Sequence, residues 1–414
     1  MKNDCSVSVT LLFLLTLNAC TQLDSKKELP ATDSVHVKKG LYGYDLAFLK
    51  KYTGRVIELQ DSTGQSKVLL SADYQGRVMT STAAGDSGNS FGWLNFDLIA
   101  SRQKKAHFNP YGGEERFWLG PEGGQYSFYF AKGDSFNLNH WQVPGVIDTA
   151  VFDVLQSDAS QATFVKNAML VNYSGAIFDI GITRTIRLLN KSDIENRLQT
   201  SIPAGIQFVG FESRNEIKNT GKNNWIKETG LMSIWLLGMM TPTAETKVII
   251  PFKGGKDSHS YITDNYFGQI PPDRLKVIDS VLYFRCDGIF RSKIGLSPRL
   301  AKPVTGSFDF KRNVLTLLFP QIHPGALYVN SKWEIQKLPY AGDVINSYND
   351  GPLPDGSQMG PFYEIESSSP ANELKAGEKS EYIQTTCHFQ GDYPALRTMA
   401  RQVLKVDLDE IRKW

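Results

Sequence analysis

Cysteine is scarce in this chain, with 4 in 414 residues. That excludes a small disulfide-stapled scaffold. Neither sign of charge dominates, since 45 Lys and Arg face 43 Asp and Glu. There is thus no basic excess of the kind that neutralises a phosphate backbone, and nucleic acid is not an expected partner. Apolar residues make up 41%, too many for a disordered chain. The familiar chemical templates are missing too. There is no Gly-x-Ser-x-Gly or His-Glu-x-x-His, and no Cys-x-x-Cys. His107, His259, His323 and His388 stand alone. No cofactor is expected; a structural Ca²⁺ stays open, although no Asp-x-Asp-x-Asp loop is present.

Long apolar runs are absent except at the start. Lys2 precedes Val7–Leu17, an uncharged stretch too short to span a bilayer, which needs about 20 residues. It fits the apolar part of a signal peptide. Leu17-Asn18-Ala19-Cys20 follows and resembles the bacterial lipobox. That resemblance implies cleavage after residue 19, lipidation of Cys20 and anchoring in the cell envelope, periplasmic or at the outer-membrane surface. Residues 20–39 are polar and read as the lipidated Cys with its tether. The expected organisation is a signal peptide (1–19), the tether (20–39) and one domain (40–414), touching the membrane only through its lipid. Cys286 and Cys387 remain in the fold, as free buried thiols or as a bridge.

Leu41–Tyr52 carries apolar residues at helical spacing, and a second amphipathic helix is expected from about Pro394. Between them, short β-branched and aromatic runs alternate with Gly, Asn, Asp and Pro clusters. Expected strands include Arg55–Leu59, Tyr126–Phe130, Thr163–Tyr173, Phe178–Leu189, Ile206–Glu216, Leu231–Met240, Tyr328–Ile335, Gly360–Ser367 and Glu381–Gln390. There is no internal repeat and no strand–helix alternation. The fold class is therefore all-β and mainly antiparallel: a large two-sheet sandwich with short helices near both ends.

Chemistry concentrates in a few places. Asn109–Gln125 is dense in glycine and holds Arg116, Trp118 and Glu122. Its glycines do not match a dinucleotide or phosphate loop. An aromatic face beside planar charged groups suits a sugar ring, which offers C–H on its faces and hydroxyls at its edges. The alternative is a tight turn with Trp118 in the core. His140 beside Trp141 reads as packed more than catalytic, and Trp225 lies in an Asn/Gly loop with Glu228 and Trp235 nearby. Asp287 sits in an Asp-Gly turn, and Asn349 and Asp350 precede the Glu364-Ile365-Glu366 run. Glu364 and Glu366, two apart in a strand, share a face. Placed together in a buried site, such carboxyls push one pKa upward.

Taken together, Gly112–Gly124, Val209–Asn215, Gly230–Met239, Phe284–Gly288, Arg291–Gly295, Tyr348–Pro352 and Glu366–Pro370 resemble the galactose mutarotase-like superfamily. The resemblance is most specific to mutarotase-like lipoproteins of Bacteroidetes and covers roughly residues 90–390. It implies a β-supersandwich with a concave carbohydrate-binding face. In aldose 1-epimerases a His acts as general acid and a Glu as general base. Here no His occurs between Asn109 and Gly124, and the second epimerase His is met by Asn215 and Asn219. The late Glu has counterparts in Glu364 or Glu366. The resulting expectation is a catalytic set of Glu366, Glu364, Glu122 and His140, with Arg116, Trp118, Asn215, Trp225, Asp287, Asn349 and Asp350 holding a mono- or oligosaccharide. The competing expectations are a glycan-binding protein without turnover and a structural envelope protein.

Overall fold

The computed structural model describes residues 38–255 and 257–414, all in one compact unit. The expected signal peptide, Cys20 and nearly all of the tether lie outside these residues. Among the described residues no helix is long and apolar enough to cross a membrane.

Two antiparallel sheets make the body. One has ten strands and runs from Leu275–Ile278 at one edge, through the long Gln207–Asn219 and Lys379–Gln390, to Asp153–Ser157 at the other. The second has six, in the order Ile262–Thr263, Ser292–Leu296, Ile345–Asn349, Tyr363–Ser368, Ser233–Met240 and Arg116–Gly120. A third, three-stranded sheet (Val56–Gln60, Lys67–Ser71, Arg77–Thr82) carries the N-terminal helix Tyr42–Tyr52. The all-β supersandwich expected from the sequence is therefore present.

Side-chain alternation explains the packing. Ile294, Ile345, Tyr363 and Ile365 of the six-stranded sheet meet Val248, Ile250, Leu282 and Phe284 of the ten-stranded sheet in one apolar core. The opposite face of the ten-stranded sheet is not left to water. Ile249, Phe308, Leu315, Leu317 and Phe389 are covered by Leu396, Met399 and Ala400 of the C-terminal helix Tyr393–Val403. Asp392 caps that helix by accepting from the Ala395 N–H. Ile194 and Leu198 of the helix Lys191–Leu198 extend the cover.

Several local expectations are corrected. Tyr126–Phe130 forms turns: the Ser127 N–H bonds Gly124 and the Phe128 N–H bonds Pro121, leaving no strand partner. Tyr328–Ile335 is likewise irregular apart from a bridge at Tyr328. Conversely Arg116–Gly120, inside the glycine-dense tract, is a strand buried along its whole length. The glycines before it are there for close approach. A Cβ on Gly112 would lie 2.1 Å from the Trp93 carbonyl oxygen, and Gly112 has φ +94°. Cys286 and Cys387 are buried free thiols.

Candidate functional site

The outer face of the six-stranded sheet is a cleft floor. Registers set who stands there, because residues directly opposite in a ladder share a face. Arg116 pairs with Leu237, which pairs with Glu366, which pairs with Asn346. In the adjacent row Met239 pairs with Glu364, Glu364 with Tyr348 and Tyr348 with Lys293. Trp118 pairs with Trp235 one step further along. Four strands thus deliver Arg116, Trp118, Trp235, Glu364, Glu366 and Lys293 to one surface. Loops complete the walls with Phe108, Glu122, Trp141 and Trp333, enclosing a cavity of about 630 Å³.

The floor is charged and buried. Arg116 donates to Glu364 in a buried ion pair. Lys293 Nζ donates to Glu366 Oε2 at 2.9 Å, and Trp235 Nε1 donates to the same oxygen at 3.0 Å. Glu366 is 1% exposed, and its Oε1 has no partner within the protein. Arg116 Nε and the indole N–H of Trp118 are also unpartnered. Buried polar atoms are normally satisfied, so three orphans around one cavity mark it out.

Proton affinities follow from this burial. Burial pushes the Glu122 carboxyl up to about 7; Lys293 opposes the shift and Glu366 adds to it. Burial also raises Glu364, with Arg116 opposing and Glu366 adding. For Lys293 burial acts downward, but the charges of Glu366 and Glu122 outweigh it and the net shift is up. Glu122, Glu366 and Lys293 therefore act on one another as a single electrostatic unit. The backbone of Glu122 is fixed at both ends: its N–H donates to Ser331 Oγ at 3.1 Å, and its carbonyl accepts from Ser127 Oγ.

Arg116, Trp118, Glu122, Glu364 and Glu366, all anticipated in the sequence, line this one cleft. The structure does not bring the other anticipated residues there. His140 is exposed on the wall of a separate groove, with Nδ1 3.2 Å from the Ser135 carbonyl oxygen. Asn215 is buried in the ten-stranded sheet, where its Oδ1 accepts from Arg184 Nη1 at 2.6 Å. Trp225 is a core residue packed 5.3 Å from Phe178. Asp287, Asn349 and Asp350 lock turns. Asp287 takes Arg274 at 2.5 Å, Asn349 Oδ1 takes the Gly288 N–H at 2.8 Å, and Asp350 takes the Tyr348 hydroxyl at 2.6 Å. Each polar group had a local backbone or side-chain partner to satisfy, and that fixed its place.

Sequence reading passed over Lys293, Trp141 and Trp333. Lys293 was findable: it alternates with Ile294 in a short run, and an inward Ile implies an outward Lys. Among the described residues no group of three or more His, Cys, Asp or Glu side chains could hold a metal ion.

No curated protein matches the sequence. Among solved structures the fold is similar to a protein from Escherichia coli K12 assigned as an aldose 1-epimerase. The TM-score is 0.49 at 9% identity, over 81% of this chain and all of that one. It is also similar to the Slr1438 protein of Synechocystis sp. PCC 6803, with TM-score 0.48 and 10% identity over 82% and 98% of the two chains. A galactose mutarotase-like protein from Lactobacillus casei ATCC 334 follows at TM-score 0.46 and 11% identity, over 81% and 100%. One family model matches residues 40–414, and the chain belongs to that family, DUF6786, a family of unknown function.

Proposed function

We propose that the cleft binds a carbohydrate and interconverts the anomers of a reducing sugar by acid–base catalysis. The observation that carries this is the convergence of Glu122, Glu366 and Lys293 on one buried, tryptophan-walled cavity. Sugar hydroxyls bond carboxylates and cations of fixed geometry, and aromatic walls take the C–H faces. Burial raises the Glu122 carboxyl to about 7, so it holds a proton closer to neutral pH than an ordinary carboxyl does, which suits a general acid. Glu366 is held by two donors on one oxygen and keeps the other for a substrate proton.

The proposed cycle balances on these two residues. Glu122 protonates the ring oxygen while Glu366 removes the proton of the anomeric hydroxyl. The C1–O5 bond breaks and leaves an open-chain aldehyde. C1 rotates, the ring recloses on the other face, and both protons return to their donors. Nothing is consumed. Glu366→Gln should lower anomer exchange at least about 10²-fold, measured by NMR exchange or polarimetry across a panel of aldoses. Unchanged exchange would end the assignment of Glu366. The ion pair of Glu366 with Lys293 favours a second reading, binding without turnover, which the same panel would reveal as saturable binding with no exchange. On sequence grounds we also propose a lipid anchor at Cys20. It predicts acyl incorporation that Cys20→Ser abolishes.

A further inference from the structure

We propose that the cleft takes a reducing oligosaccharide, with the terminal unit at the carboxyl floor and the next unit against the Trp141–Trp333 wall. This rests on the reading of the floor as a sugar site.

The tryptophans divide into two kinds. Trp118 and Trp235 are 4% and 6% exposed. Their faces are already used: the Arg116 guanidinium lies 4.9 Å from the Trp118 ring centre, and Lys293 Nζ lies 4.9 Å from that of Trp235. An aromatic face covered by a cation is not free for a sugar. Trp141 and Trp333 are only half-buried. Their planes lie within 29° of each other at 5.9 Å between centres, and Trp141 is 9° from the plane of Tyr129 at 6.4 Å. Together they make a run of near-parallel rings along one wall of the cavity, beside Glu122. Exposed Leu138 continues the apolar lining of the same cavity.

The wall is rigid. The loop bearing Trp333 is tied to the Glu122 turn by a reciprocal pair: Gln125 Nε2 donates to the Gln336 carbonyl at 2.9 Å, and the Gln336 N–H donates to Gln125 Oε1 at 3.0 Å. Gln336 Nε2 also holds the carbonyls of Asn330 and Lys332, at 3.0 and 2.7 Å. A Cβ on Gly123 would lie 2.3 Å from the Lys332 carbonyl oxygen, so the two loops touch at the backbone. A platform held this way loses little entropy on binding. The cavity of about 630 Å³ exceeds what one sugar ring fills and falls within the range of roughly 300–1,000 Å³ that buries larger ligands.

The test is calorimetric titration of the intact protein with reducing trisaccharides of glucose, galactose, mannose and xylose, each beside its monosaccharide. At least one trisaccharide should bind about tenfold or more tightly than its monomer. Trp333→Ala should lower the trisaccharide's affinity by more than the monomer's and so remove that advantage, and Trp333→Phe should restore part of it. Equal affinity for monomer and trimer, or equal loss of both in Trp333→Ala with circular dichroism unchanged, overturns the proposal and leaves the floor site standing. Binding of neither overturns both.

Discussion

Two buried ion pairs sit about one residue apart in sequence and do different things. Glu115 meets Arg184 between the sheets, and Arg116 meets Glu364 on the cleft floor. The inner pair is closed. Arg184 Nε donates to the Gly76 carbonyl and Nη1 to Asn215, while its Nη2 bonds Glu115 at 2.8 Å; Glu115 Oε2 accepts from Gln384 at 2.8 Å. The floor is open: Arg116 Nε and Glu366 Oε1 have no partner. Burial alone therefore does not distinguish these two pairs. They differ in whether the surrounding protein uses up the hydrogen-bonding capacity; elsewhere buried groups such as Arg77 Nε and Arg274 Nε are also left without a partner.

The largest effect should come from opening the closed network. Glu115→Ala leaves Arg184 buried without its counter-charge and should cost about 3–5 kcal/mol in denaturant unfolding. Glu366→Gln should cost far less stability while removing anomer exchange; similar stability losses in the two variants would erase the contrast. Next comes Glu122. Its carboxyl is raised to about 7 from an ordinary 4.5. Between those values the native state keeps the proton and the unfolded chain does not, so stability falls as pH rises through that window. Glu122→Gln should remove this fall, at most about 3 kcal/mol between pH 4 and 8, and catalysis by the acid should decline above about pH 7. The smallest effect is expected at Asn349. Its Nδ2 bonds Asp287 and the Phe290 carbonyl, outside the cleft. Asn349→Ala should cost roughly 1–2 kcal/mol and leave sugar affinity unchanged.

The ten-stranded sheet was the readable part of the sequence. Phe178-Asp-Ile-Gly-Ile-Thr-Arg-Thr-Ile alternates, and its burial alternates with it. The six-stranded sheet was harder to read. Ser233–Met240 and Tyr363–Ser368 are buried on both faces, one against the core and one beneath the cleft loops, so polarity no longer reports the period. Arg116–Gly120 was hidden among glycines that serve its neighbours. The pairing of Glu364 with Glu366 was legible because a two-residue step needs only the strand. The convergence of Glu122 and Lys293 on them depends on pairings across five strands, which no local pattern encodes. Asn215 looked like a site residue because it is polar within an apolar strand; its reason was Arg184.

The most direct test is NMR exchange between anomers of reducing sugars, comparing the wild-type protein with Glu366→Gln and Glu122→Gln at pH 7. The account predicts accelerated exchange for at least one sugar in the wild type and loss of that acceleration in both variants, with sugar binding retained in at least one. Acceleration that survives both substitutions would contradict it.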